Sequence, residues 1–297
     1  MYRTCMPVLV TGSSGNVGRW VGEELHAAGA DVRCAVRPPS SGQLPEGTVG
    51  FDFTDERTWA AAFAGVRALF LVRPPAIGNV RRDLLPAVAA AREAGVEHVV
   101  FLSIQGADRL RVVPHATVER WLQGSGLGWT FVRPSFFTQN LSTTHAPDIR
   151  DRDEVVVPAG RGRTAFVDTR DVAAVAAAAL LDPAAHRDQA WTPTGPEALT
   201  YTEVADVLTD VLGRPITYRD PGLPGWFRHA RTVLGMPVGM AVVTAAIYTT
   251  ARLGLAAGLT DHVEQVTGRP PASVRTTAVR EQAAWRRTPE NPRGGQS

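Results

Sequence analysis

Val8-Leu9-Val10-Thr11-Gly12-Ser13-Ser14-Gly15-Asn16-Val17-Gly18 is the stretch that decides the fold. Its short aliphatic run reads as a buried strand, Val8–Thr11, and the residues after it as a helix, Val17–Ala28, stopped by Gly29. Three glycines at three-residue spacing join them. Gly12 permits a tight turn, Gly15 lets the backbone approach a ligand, and Gly18 lets the helix pack closely on the strand. The free N–H groups and positive dipole end of such a helix suit a pyrophosphate. A lone glycine triplet is weak evidence. Between a first strand and an amphipathic helix, within a βαβ pattern, it is much stronger.

Further along, short apolar strands alternate with Ala-rich helical stretches, the pattern of a parallel sheet covered on both faces. The expected strands are Val32–Val36, Thr48–Phe53, Ala68–Val72, His98–Ser103 and Trp129–Arg133. The expected helices are Asp55–Ala64, Asp83–Ala94 and His115–Gln123. After Pro134 the rhythm changes to short loops and strands, then Ala-rich Asp171–Leu181 and a helix at Tyr201–Leu212. The fold class is therefore α/β: a doubly wound, Rossmann-type parallel sheet with a smaller, mainly helical C-terminal substrate or lid region. The expected domains are 1–134, to which later segments return, and 135–287. Residues 221–259 form an apolar segment read as a lid, with a homodimer contact or a plain core helix as alternatives. The tail 288–297 is polar and expected to be disordered.

Composition narrows the function classes. The 297 residues carry a formal charge of only +2, which gives no electrostatic case for nucleic acid or an anionic membrane. Met236–Ala251 is apolar but short for a bilayer span. No basic-then-apolar leader opens the chain, and Cys5 and Cys34 make no metal or disulfide framework, so a soluble cytoplasmic protein is expected. The seven histidines are scattered without ligand spacing, so no metal is expected. All 31 basic Lys/Arg residues are arginine, which excludes chemistry that needs a lysine amine.

The second strand bears on the choice of cofactor. A site that prefers NAD places Asp or Glu there, about 20 residues past the turn, whereas this chain has Val36-Arg37-Pro38. A guanidinium suits a 2′-phosphate, and Ser40 and Ser41 add hydroxyls. NADP(H) is the expected cofactor, with Thr11, Gly12, Ser14, Gly15, Asn16, Val17, Gly18 and Arg37 as its binding residues. Asp52 and Phe53 stand where the adenine is expected, and Val72, Arg73 and Pro74 on the path toward the nicotinamide.

Three motifs together resemble the NmrA-like, atypical branch of the short-chain dehydrogenase/reductase superfamily. They are the glycine turn, the block from Gly124 through Thr130-x-x-Arg133-Pro134-x-x-Phe137-x-x-Asn140, and Phe166-Val167-Asp168-x-x-Asp171-Val172-Ala173. The resemblance implies a Tyr-x-x-x-Lys pair and a serine as the proton relay. Here the matching positions hold Arg111, His115 and Gln105, and none of the four tyrosines is near. Two readings follow: a cofactor-binding sensor without turnover, or a reductase whose substrate needs little help. His115 is a candidate general acid or, preferably, a ligand of the nicotinamide ribose. Ser103 and Gln105 are candidates for orienting a carbonyl. Pro134, Phe136 and Phe137 are expected beside the nicotinamide. The substrate expected is a small, flat, apolar aromatic compound. A ketone on a polycyclic polyketide in antibiotic biosynthesis leads, and a quinone is second.

Overall fold

The computed structural model describes residues 7–38, 43–110 and 113–287. Its first half runs β1 (Val8–Val10), α1 (Gly18–Ala27), β2 (Val32–Val36), β3 (Thr48–Gly50), α2 (Trp59–Phe63), β4 (Ala68–Val72), α3 (Val80–Asp83), α4 (Leu85–Glu93), β5 (His98–Leu102), α5 (Pro114–Gln123) and β6 (Gly128–Val132). There follow β7 (Phe136–Phe137), α6 (Ala146–Arg152), β8 (Glu154–Val156), β9 (Thr164–Val167), α7 (Thr169–Leu181), α8 (Pro183–His186), β10 (Gln189–Trp191) and β11 (Ala198–Leu199). The chain ends with α9 (Tyr201–Leu212), β12 (Thr217–Arg219), α10 (Gly222–Thr232), α11 (Val238–Arg252), α12 (His262–Thr267) and α13 (Val274–Glu281).

Two compact units result. One takes the chain through Ser135, then Thr169–Thr194 and Thr260–Pro271; the other takes Phe136–Asp168, Gly195–Leu259 and the chain from Ala272 onward. The first unit holds a seven-stranded sheet of order β10-β6-β5-β4-β1-β2-β3, with every pairing parallel. Side chains alternate across it. Leu9, Leu71, Val99 and Phe101 join Phe63, Val88, Val118 and Leu122 in one core, while Val10, Phe70 and Val100 are buried on the other pleat. α7 lies on β4, β5 and β6 and packs against α1 and α12. This is the doubly wound arrangement the alternating pattern implies.

Local chemistry explains where boundaries differ from expectation. β3 ends at Gly50 rather than Phe53, because Phe51 and Phe53 turn into an aromatic cluster with Phe63, with ring centroids 4.8 and 5.5 Å from Phe51. The helix expected from Asp83 starts at Val80, where Asn79 accepts a hydrogen bond from the Arg82 N–H. It breaks at Leu84 because Pro86 has no N–H to continue the ladder.

The strand order reverses between β1 and β4, the switch point outside which ligands bind in such sheets. Thr11 fixes this edge. Its N–H and hydroxyl both donate to the Phe70 carbonyl, at 3.0 and 2.8 Å, and its Oγ1 accepts from the Val72 N–H at 2.9 Å.

The second unit has a three-stranded sheet, β11-β9-β7, and a parallel pair, β12-β8. Its core is built on the buried rings of Trp226, Tyr201 and Tyr248. In α11 only Ala241, Tyr248 and Ala251 are buried, while Met240, Val243 and Ile247 are exposed. Among the described residues no helix is long and apolar enough to cross a membrane. The expected tail 288–297 lies outside the described residues.

Replacing Thr11 with Val keeps the shape but leaves the Val72 N–H without its acceptor. We expect a loss of about 1–3 kcal/mol in urea unfolding, since a half-buried donor then goes unpaired. Unchanged stability would show that Thr11 does not hold β1 to β4.

Candidate functional site

The site begins at the turn after β1. Gly12 adopts a φ of +63°, and a Cβ there would sit 3.2 Å from the Val72 Cβ. A Cβ on Gly15 would meet the Gly12 carbonyl at 3.1 Å, and one on Gly18 would meet it at 2.2 Å, inside van der Waals contact. The turn is tied to β2 by Ser13, whose hydroxyl donates to the Ala35 carbonyl at 2.7 Å. Ser14, Gly15 and Asn16 are exposed. No side chain caps the N-terminus of α1, and its first turn carries no acidic residue. A pyrophosphate therefore fits: the backbone is open, the dipole end is uncapped, and no carboxylate opposes the anion. Val17 and Thr11 enter differently from expectation. Both side chains are buried, so only their backbones can serve a ligand, the Thr11 hydroxyl being spent on β4.

At the end of β2, Arg37 is exposed and its Nε lies 3.3 Å from an Asp52 carboxylate oxygen. Asp52 also accepts from the Thr54 N–H and hydroxyl at 2.8 and 2.7 Å, which fixes it beside Arg37. Phe53, expected to meet an adenine, is instead packed into the aromatic cluster, which leaves it little surface to offer. Ser40 and Ser41 lie outside the described residues, as do Arg111 and Cys5.

Beyond β4 and β5 the structure sorts the remaining candidates. Ser103 is buried and donates to Glu119 Oε1 at 2.6 Å. Glu119 in turn accepts two hydrogen bonds from Arg133, at 2.9 and 2.7 Å. Ser103 is thus a structural member of an internal ion-pair network, which corrects its expected role in orienting a carbonyl. Gln105 is half-buried, and its N–H donates to the Pro134 carbonyl at 3.0 Å, extending the β5–β6 pairing. Pro134 is thereby held as backbone scaffold.

His115, at the start of α5, is half-buried with its ring stacked 5.9 Å from Phe101. Burial first, and then the charge of Arg73, lower its pKa to about 4. A neutral imidazole can hydrogen-bond a hydroxyl but carries no spare proton near neutrality, which disfavours the general-acid reading. Arg73 itself donates from Nη1 to the Pro74 carbonyl at 3.2 Å and the Ile77 carbonyl at 2.7 Å.

In the second unit, Phe136 and Phe137 pair in register with Phe166 and Val167. Phe136 is half-buried and meets Phe166 edge-on at 5.7 Å and Tyr248 at 5.8 Å. Asp168 is fully buried and accepts from Gln139 at 3.0 Å, Thr277 at 2.5 Å and Arg280. It is a structural hub, and nothing in its loop sequence signals partners more than a hundred residues away. His145 and Tyr248 share a buried 2.5 Å hydrogen bond, and His229 meets buried Asp148 at 2.7 Å. Sequence reading passed over both pairs because their members are remote in the chain. Among the described residues no cluster of His, Cys, Asp and Glu could hold a metal.

Because its folded-state pKa lies below the ordinary 6.5, His115 contributes stability that is present above that value and lost as pH falls toward about 4. An NMR titration of the His115 ring should show a midpoint near 4. In Arg73→Met the midpoint should rise. A wild-type midpoint near 6.5 would restore His115 as a general acid.

Comparison with known proteins adds the context. An NAD(P)H azoreductase from Xenophilus azovorans is 36% identical over 292 residues, covering 94% of this chain and 99% of that protein. The structure of an NADPH-dependent quinone oxidoreductase from Escherichia coli, in complex with NADPH, aligns with a TM-score of 0.80 at 24% identity, covering 94% and 100% of the two chains. The Citrobacter sp. triphenylmethane reductase, in complex with NADP(H), aligns with a TM-score of 0.79 at 22% identity, covering 93% and 99%. The family model described as NmrA-like matches residues 6–252. With that match over most of its length, this chain belongs to the NmrA-like family.

Proposed function

We propose that this chain is an NADPH-dependent reductase of a flat, conjugated, apolar acceptor, and that it works without a tyrosine–lysine relay. It is an NAD(P)H-dependent oxidoreductase; the relatives that act on azo, quinone and triphenylmethane compounds support that class. The observation that carries the reading is the open glycine turn joined to an uncapped α1, at the switch point of a parallel sheet. Bound there, a dihydronicotinamide supplies hydride. The residues of the chain supply position. The turn seats the pyrophosphate, and Arg37 offers a guanidinium to a 2′-phosphate. His115, held neutral, offers a hydrogen bond to a ribose hydroxyl.

The positions of the usual acid hold no group suited to donate a proton near neutrality, and the described tyrosines all lie in the second unit. Acceptors that are strongly electrophilic, or internally hydrogen-bonded, fit such a site because orientation alone supplies much of the rate. A ketone beside a phenol on a polycyclic aromatic skeleton, as in aromatic polyketides, is the leading substrate, with quinones second. The exposed aliphatic residues of α11 offer apolar surface on the second unit to a second copy of the chain.

NADPH oxidation, followed by absorbance against hydroxyaryl ketones and quinones with NADH in parallel, tests this directly. We expect turnover with NADPH preferred, and in Arg37→Ala a roughly tenfold weaker NADPH affinity with little change for NADH. That ratio corresponds to about 1.4 kcal/mol, within the range of one exposed charge-assisted contact. Tight NADPH binding with no oxidation of any acceptor would instead favour a redox-sensing regulator.

A further inference from the structure

Among the described residues, ten of the thirteen exposed large hydrophobic side chains fall between Leu223 and Leu259. All ten belong to the second unit, on α10, α11 and the loop that follows. On α10, Leu223 and Phe227 stand one turn apart on the same face. Helix α10 packs against α11, and Leu253 and Leu255 follow directly at the end of α11. Helix α11 buries only Ala241, Tyr248 and Ala251, a narrow stripe, and leaves the opposite arc to solvent. That arc is centred on Gly239, Val243 and Ala246, at helical spacing, with Val242 and Ile247 beside them. Val243 is 60% exposed. From Thr232 through Ala251 the sequence holds no Asp, Glu, Lys, Arg or His. The solvent face of a surface helix ordinarily carries charge, and this one carries none.

Area and charge together select what covers this surface. At roughly 80 Å² of exposed side chain apiece, the ten residues present on the order of 800 Å² of apolar surface. That exceeds the largest apolar patch of an ordinary monomer and matches one partner's share of a standard interface. A symmetric pair joins identical patches, so the patch has to tolerate its own copy. Two charge-free α11 faces meet without like-charge repulsion and bury no unpaired ion. A helix that lies on an anionic lipid surface instead sets a basic polar face beside its apolar one. The face of α11 opposite its exposed arc is buried in the core of its own unit. We infer that a second copy of this chain covers α10 and α11, with the two α11 helices packed face to face about a twofold axis. This goes beyond the reductase reading and does not depend on it.

Sedimentation velocity of the full chain at micromolar concentration should show a discrete dimer. In Val243→Asp each copy would bury an unpaired carboxylate in the interface, so we expect association at least a hundredfold weaker, leaving monomer. Val243 faces solvent in the single chain, so the variant should keep the circular dichroism and NADPH affinity of the wild type. Val279→Asp is the control: Val279 is also exposed, on α13, and that variant should remain dimeric. A wild type that stays monomeric throughout would overturn the proposal. Equal association of the wild type and Val243→Asp would do the same, as would equal weakening in both variants, which would place the interface elsewhere. Flotation of the wild type with phosphatidylcholine–phosphatidylglycerol vesicles, lost in Val243→Asp, would make the face a lipid contact and also overturn it.

Discussion

Helix α1 can leave the sheet where it does because Gly18 has no side chain: a methyl group there would lie 2.2 Å from the carbonyl of Gly12. That approach brings the N-terminus of α1 over the carboxyl end of β1, and much else is arranged around it. Thr11 locks the neighbouring β4 through three hydrogen bonds, and Ser13 ties the turn to β2. Three parallel strands are thereby held in register beneath one uncapped helix end. Since the helix supplies its own partial charge, a lysine is not needed to hold a pyrophosphate, which is consistent with a chain whose only basic side chains besides histidine are arginines.

Charge pairing organises the rest. Glu119, Asp148 and Asp168 are buried carboxylates, and each meets a cation or an imidazole that offsets its desolvation. The Ser103–Glu119–Arg133 network fixes α5 against the end of β6, and so fixes His115 one turn earlier on the same helix. Arg73, just past β4, keeps its positive charge near His115 and adds to the burial that holds this imidazole neutral.

Much of the first unit was legible in the residues themselves. Val32–Val36 and Ala68–Val72 have the bounds their patterns imply, as does Tyr201–Leu212 in the second unit, because apolar runs bounded by Gly and Pro leave few alternatives. The turn was legible for the same reason. What escaped were contacts made at long range. Ser103 looked like a strand-end hydroxyl free for substrate because its partner lies 16 residues on. Phe53, at the end of an expected strand, stands where an adenine is expected, although it packs on Phe51 in the core. The Asp168 hub closes over 112 residues to Arg280, and no local pattern announces such a pair.

The proposed function rests on the bare, uncapped turn Gly12–Gly18 seating the pyrophosphate of NADPH. Calorimetric titration of NADPH into wild type and Gly15→Asp, with circular dichroism to confirm that both are folded, tests it most directly. A carboxylate placed among those N–H groups should fill the helix end and repel the phosphates, so we predict at least a hundredfold loss of affinity with the fold intact. Equal affinity in the two proteins would contradict the claim and move the cofactor elsewhere on the molecule.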